Sequence, residues 1–234
     1  METPLRYANQ LKVTGFTHHH QRIIQHARVL VVGAGGLGCP VLLQLSALGL
    51  GHITLYDHDH IETHNLNRQT LYSEQHLGQP KAITAAGILR GFNPDVEIVP
   101  VVEMLGTKQI ASLDAKWQVV VDCTDNIATR HLLDHFCQTH GIPLVFGGVR
   151  MLEGQFGVFN YRGGPSFSKA FPANGRFERI EDCNLLGTFA FACHMVASYQ
   201  VNEVFKIITG LGRVMSGKVT TINLESVTHF TVGF

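Results

Sequence analysis

No two of the five cysteines, Cys39, Cys123, Cys137, Cys183 and Cys193, stand in a C-x-x-C pair, and their number is odd. That excludes a self-contained zinc ribbon and a disulfide scaffold, and it fits a reducing compartment such as the cytoplasm. Neither sign of charge is in excess: Lys plus Arg number 18, Asp plus Glu 18, and the net charge is +0. No long-range field favours a nucleic acid or an anionic membrane, and no run of basic residues marks either. A local basic patch for an acidic protein partner remains open. No stretch reaches the roughly 18 consecutive apolar residues of a membrane span, and METPLRYANQLKVTGF lacks the apolar centre of a secretory signal. Internal repeats and low-complexity linkers are missing too.

What is present suits one α/β domain. The 234 residues are 45% hydrophobic, ample for a core. The 14 histidines, three of them consecutive at His18 to His20, are read as surface and core residues without a role.

The clearest block is ARVLVVGAGGLGCPVLLQLSALGLGHITLYD, Ala27 to Asp57. Val29 to Val32 is a continuous apolar run, as in a strand buried on both faces. Gly33, Gly35 and Gly38 spell G-x-G-x-x-G, CPVLLQLSALG reads as a helix, and HITLYD as a second strand. Strand, glycine turn, helix and strand make a βαβ unit, whose turn lets backbone N–H groups and a helix N-terminus approach a phosphate. A helix is predicted from Lys81 to Leu89, then a strand at VEIVPVVE, where Pro100 hints at an edge or a bulge. WQVVVDCTD and IPLVFGGV are further strands, with the helix NIATRHLLDHFCQTHG between them. This alternation implies a Rossmann-like, doubly wound, mainly parallel sheet. From Gly154 the rhythm changes. GQFGVFNYRGG and GKVTTINLESVTHFTVGF read as antiparallel strands without helices between them, separated by a flexible loop at 163–187 and a long helix at about 188–209.

Asp57 ends the second strand, where such folds place an acid against ribose hydroxyls, and Asp59 follows. At this point NAD enzymes and other nucleotide enzymes are equal candidates. Asn65, Arg68, Gln69 and Lys81 favour a nucleoside triphosphate, because Arg offers a planar fork and Lys a point charge to phosphate oxygens. Asp122 or Asp125 could hold Mg²⁺, which takes carboxylate, water and phosphate oxygens.

RVLVVGAGGLGCP, NLNRQTLYSEQHLGQPK and DCTDNIATR together resemble the signature blocks of the ThiF/MoeB/HesA family. Its members adenylate the C-terminal glycine of ubiquitin-like sulfur carriers and are similar to the adenylation domain of ubiquitin-activating enzymes. The resemblance runs over nearly the whole chain. It implies a single adenylation domain over 1–234, with an N-terminal helical segment (1–26), a nucleotide-binding core (27–150) and carrier-binding strands, crossover loop and long helix (151–234). It implies ATP and Mg²⁺ as cofactors. Gly36, with Gly33, Gly35 and Gly38, would lie against the nucleotide and Asp57 would take the ribose, beside Asp59. Asn65, Arg68 and Lys81 would hold the triphosphate, supported by Gln69, and Asp125, next to Asn126, would handle Mg²⁺ and the phosphates. The implied partners are a ThiS- or MoaD-type carrier ending in Gly-Gly, for thiamin-thiazole or molybdopterin synthesis, and a second copy in a homodimer.

The chain departs from the family at three places. The family motif R-Y-x-R-Q reads RYANQ here, with Asn9 for the arginine that reaches the partner's ATP; Arg6 and Lys12 are the nearby cations. Where the first zinc-binding thiol pair would fall stands PSFSKAFP, with Ser166 and Lys169, and the second would fall beyond Phe234. Hydroxyl and ammonium groups do not replace thiolates on zinc, so no zinc is expected. Cys183 aligns with the crossover-loop cysteine that in some members links covalently to the carrier, whereas Cys39 and Cys193 read as small core residues. Two alternatives stand beside adenylation: a catalytically weakened or non-catalytic relative and, behind it, an NAD-dependent oxidoreductase.

Overall fold

The computed structural model describes residues 5–173 and 187–234. Two 3₁₀ turns, Leu5–Tyr7 and Gln10–Lys12, precede helix α1 (His18–His26). Then come β1 (Arg28–Val32), α2 (Gly38–Leu48), β2 (His52–Tyr56), α3 (Lys81–Phe92) and β3 (Glu97–Val101). The second half holds α4 (Thr107–Ala111), β4 (Val119–Asp122), α5 (Ile127–His140), β5 (Leu144–Arg150) and β6 (Glu153–Phe159). It closes with α6 (Phe167–Ala170), α7 (Ala190–Thr209), β7 (Lys218–Asn223) and β8 (Thr228–Gly233).

One 8-stranded sheet runs through the chain in the order β3-β2-β1-β4-β5-β6-β7-β8. The first five strands are parallel, and β6, β7 and β8 add on antiparallel. The fold class expected from the sequence is therefore present. Side chains alternate across the sheet: Val29 and Val31 pack into one core cluster, Leu30 and Val32 into the other. Both faces of β1 are covered, which is why its run is apolar without alternation. Helices α2, α3 and α7 supply the first cluster; α4, α5 and α6 supply the second. Pro100 sits in edge strand β3, where its missing N–H breaks no ladder.

Two expectations change. Helix α3 runs past Leu89 to Phe92, through Gly91. Its buried Ala82, Ala85, Ala86 and Leu89 pack on the core, and Arg90 donates to the Ile98 carbonyl of β3 at 3.1 Å, so tertiary contact overrides glycine's weak helix preference. The loop from residue 163 carries the short helix α6 near its start. Asp134 of α5 is buried, and its carboxylate accepts from Asn160 Nδ2 (2.9 Å), the backbone of Phe167 (2.8 Å) and Ser168 (2.9 Å), and Ser168 Oγ (2.6 Å). Ser166 Oγ caps α6, and Phe167 stacks on Phe171 beside Phe146 and Phe159. Ser166 and Lys169 are thus parts of a capped, aromatic-backed turn. Cys183 and the rest of the expected crossover loop, 174–186, lie outside the described residues. Among the described residues no helix is long and apolar enough to cross a membrane.

The chain leaves β1 toward β2 and β3 on one side and reaches β4 and β5 on the other. The C-terminal ends of β1 and β4 therefore flank the point where strand order reverses, where open α/β sheets bind ligands.

Candidate active site

A cavity of about 580 Å³ opens at that switch point. It falls within the range of small-molecule sites, roughly 300–1,000 Å³. Every expected cofactor-binding residue except Gly38 lines it. Gly38 serves packing instead. A Cβ there would lie 2.0 Å from the Gly33 carbonyl oxygen, so the turn closes on itself only with glycine. Gly33 has φ +99°, and a Cβ would meet the Cys123 carbonyl oxygen at 2.7 Å. Gly36 is confined by neighbours of another kind, Cys193 Sγ at 3.0 Å and Arg68 Cγ at 3.6 Å from its missing Cβ.

Asp57, just past β2, is tied to the glycine turn. Its Oδ2 accepts from the Ala34 N–H at 2.6 Å and its Oδ1 from the Asp59 N–H at 2.8 Å. Burial pushes its carboxyl above the ordinary value, against the two N–H groups and Lys81, which pull it down. Lys81 is buried as the first residue of α3, where the helix dipole disfavours a cation. Asp59 offsets this by accepting from Lys81 Nζ at 2.8 Å. Burial alone would raise the Asp59 carboxyl, but the Lys81 bond and charge, with His58 and His60, hold it below its ordinary value.

Asn65 is buried, and its Oδ1 accepts from the Glu62 N–H at 3.0 Å. Arg68 projects from the same turn and bonds only to neutral acceptors, the His64 carbonyl (2.9 Å) and Asn67 Oδ1 (3.0 Å). Its charge meets no carboxylate among the described residues. Gln69 is buried against Gly35, and its Oε1 accepts no hydrogen bond among the described residues. Asn126 caps α5, accepting from the Thr129 N–H at 2.8 Å, and Asp125 beside it is exposed on the cavity wall.

Several wall residues carried no assigned role in the sequence. Arg130 closes the DCTDNIATR block and lies one helical turn past Asn126; that spacing was the available signal. Cys193 is buried yet reaches the wall beside Gly36, and burial raises its thiol despite Thr188 and Arg68. Nothing in its helical pattern separates it from a core cysteine. His58, His60 and His64 line the rim in DHDHIETH. Tyr72 is hidden behind the site. Its hydroxyl donates to the Ala34 carbonyl at 2.9 Å and stands 3.3 Å from the Lys81 carbonyl, bracing the glycine turn against α3. Arg6, Asn9 and Lys12 do not line the cavity of their own chain.

The cavity thus joins a backbone turn open to phosphate, an acid placed for ribose hydroxyls, and cations facing one volume. That set suits a polyanionic nucleotide.

Comparison with known proteins agrees. The model of the ThiF family matches residues 7–232. The chain is 38% identical over 219 residues to the molybdopterin-synthase adenylyltransferase of Escherichia coli (strain K12), covering 92% of this chain and 86% of that protein. It is 38% identical over 215 residues to the adenylyltransferase and sulfurtransferase MOCS3 of Sus scrofa, covering 92% of this chain but 47% of that longer protein. The fold superposes on a crystal structure of E. coli MccB with MccA-N7isoASN, with a TM-score of 0.86 and 19% identity, over 99% of this chain and 72% of that one.

Proposed function

Because the chain belongs to the ThiF family, we propose that it is an ATP-dependent adenylyltransferase acting on the C-terminal glycine carboxylate of a ubiquitin-like sulfur carrier. The relatives named for molybdopterin synthase and MOCS3 favour a MoaD-type carrier over a thiazole-pathway one. The observation that carries the reading is the convergence of Asp57, Arg68 and Lys81 on one cavity behind the glycine turn.

The attacking group is a carboxylate, already ionised at neutral pH, so no general base is required. One carboxylate oxygen bonds to the α-phosphorus of ATP, the bond from that phosphorus to the bridging oxygen breaks, and pyrophosphate leaves with the electron pair. The products are an acyl-adenylate and pyrophosphate. The protein contributes alignment and charge neutralisation. Asp57 holds the ribose and thereby fixes the α-phosphate over Gly35 and Gly36. Arg68, paired with no carboxylate among the described residues, grips phosphate oxygens with its fork. Lys81 adds a point charge, aimed by Asp59. Asn65 and Gln69 offer amide groups to the same phosphates.

The residues present fit Mg²⁺. Asp125 is a hard oxygen donor on the cavity wall, with no hydrogen bond or ion pair among the described residues. When bound, the ion would add positive charge to the phosphate oxygens. Zinc has no part in this reading, since Ser166 and Lys169 belong to the capped turn of α6. A homodimer in the cytoplasm completes it, the Arg6 to Lys12 segment serving outside its own cavity. A second reading, a relative that binds nucleotide and carrier without catalysis, draws support from Asn9. Carrier-dependent exchange of labelled pyrophosphate into ATP separates the two: the adenylyltransferase exchanges, and the non-catalytic relative binds ATP without exchange.

A further inference from the structure

At the end of β4, charged and polar side chains are packed without full hydrogen bonding among the described residues. Asp122 is fully buried, yet its Oδ2 accepts no hydrogen bond. It lies 3.5 Å from Nε of Arg130, which donates none. Gln200 of α7 is also buried, and its Oε1 is a third orphan atom. Buried groups short of partners weaken a fold. Buried ion pairs can often be replaced by apolar side chains without loss of stability. Stability alone therefore does not explain why this network stands behind the cavity, which it reaches through Thr124 and Arg130.

What the network does is hold Thr124. Asp122 Oδ1 accepts from the Thr124 N–H at 2.9 Å and from its hydroxyl at 2.6 Å. Arg130 Nη2 donates to the Thr124 carbonyl at 2.6 Å and to the Gly147 carbonyl at 3.2 Å, and the guanidinium lies 4.8 Å from the centre of the Phe146 ring. Every polar group of Thr124 is engaged. Gln200 extends the grip by donating to the Asp122 carbonyl at 2.8 Å, and it fills the space a Cβ on Gly147 would need, 2.4 Å away. Asp125 is the next residue after Thr124 and faces the cavity. One nitrogen, Nη2, serves both carbonyls while Nε of the same plane faces Asp122 and the guanidinium lies by the Phe146 ring, a combination that a single lysine ammonium cannot reproduce.

We propose that Asp122 and Arg130 clamp Thr124 so that Asp125 is preset for a Mg²⁺–triphosphate, which makes Arg130 a positioning residue of the site. This rests on the nucleotide reading above. The test is calorimetric titration of ATP at a series of Mg²⁺ concentrations, and of AMP, into wild type, Arg130→Lys and Asp122→Asn, with the thermal midpoint recorded for each. The Mg²⁺ concentration giving half of the maximal ATP affinity is expected to rise at least about fivefold in both variants, while AMP affinity stays within about twofold. An unchanged Mg²⁺ requirement, or equal losses for AMP and ATP, would overturn the clamp and leave a structural role. Should both variants fail to fold, Thr124→Val removes only the hydroxyl bond to Asp122. It should shift the Mg²⁺ requirement the same way by a smaller factor, and no shift overturns the proposal. A wild type without Mg²⁺-dependent ATP binding removes this inference and the nucleotide reading together. Mg²⁺-dependent binding that shifts as expected, with no carrier-dependent exchange, sustains the clamp and sinks the adenylation reading alone.

Discussion

Arg68→Ala is expected to separate catalysis from folding. Among the described residues the Arg68 guanidinium bonds to a neutral carbonyl and an amide oxygen. Losing those bonds at a partly exposed site costs about 0.5–1 kcal/mol. For a chain of this size that lowers the thermal midpoint by about 1–4 °C. Its worth to a bound triphosphate is larger. One hydrogen bond to a charged group contributes roughly 1.5–3 kcal/mol, or about 10- to 150-fold in rate or affinity. The fork can make two such bonds, and Asn9 stands where the family has a further arginine. Carrier-dependent pyrophosphate exchange should therefore fall at least about 100-fold while the fold persists. Exchange within about threefold of wild type would mean that the triphosphate is misplaced, and a collapse of the thermal midpoint would make Arg68 a folding residue.

Lys81→Met should raise the Asp59 carboxyl, read by NMR titration. Because Asp59 is held low by Lys81, their mutual stabilisation is present above the ordinary carboxylate range and lost as pH falls through the lowered Asp59 value. The stability gap between wild type and Lys81→Met should hold at neutral pH and close below about pH 4; a gap that persists in acid would deny the linkage. Gly38→Ala forces a Cβ against the Gly33 carbonyl and should unfold or strongly destabilise the domain in a melting curve, whereas binding loss at an unchanged melting temperature would contradict the packing role. Cys39, Cys123, Cys137 and Cys193 are buried, with thiols pushed up by burial, Cys39 to about 12, so iodoacetamide should leave them unlabelled in the native protein. Cys183→Ala should keep acyl-adenylate formation, measured by pyrophosphate exchange; its loss would assign that thiol to adenylation itself.

The parts legible in the sequence are those set by local chemistry. Val29 to Val32 read as a strand covered on both sides, Pro100 pointed to an edge or a bulge, and Gly33, Gly35 and Gly38 marked the turn. The site residues up to Asp125 follow strand ends, so topology carries them into one cavity. Other parts depend on tertiary contact that no short window contains. Asp134 reads as a solvated residue on a polar helix, yet four donors from residues 160 to 168 enclose it. Lys81 reads as an exposed helix start and is buried on Asp59. Cys193 looks like any core cysteine, because its place beside Gly36 depends on how α7 crosses the sheet. Arg130 needed the positions of Thr124 and Gly147 before its guanidinium had a meaning.

The central claim is that Arg68, Lys81 and Asp57 serve an ATP whose α-phosphate is attacked by a carrier's terminal carboxylate. The direct measurement is exchange of labelled pyrophosphate into ATP, with Mg²⁺, with and without a purified MoaD-type carrier ending in Gly-Gly. The expected result is exchange that requires both the carrier and its last glycine. Exchange indifferent to the carrier, or none with any such carrier while NADH binds tightly and ATP does not, would contradict the account.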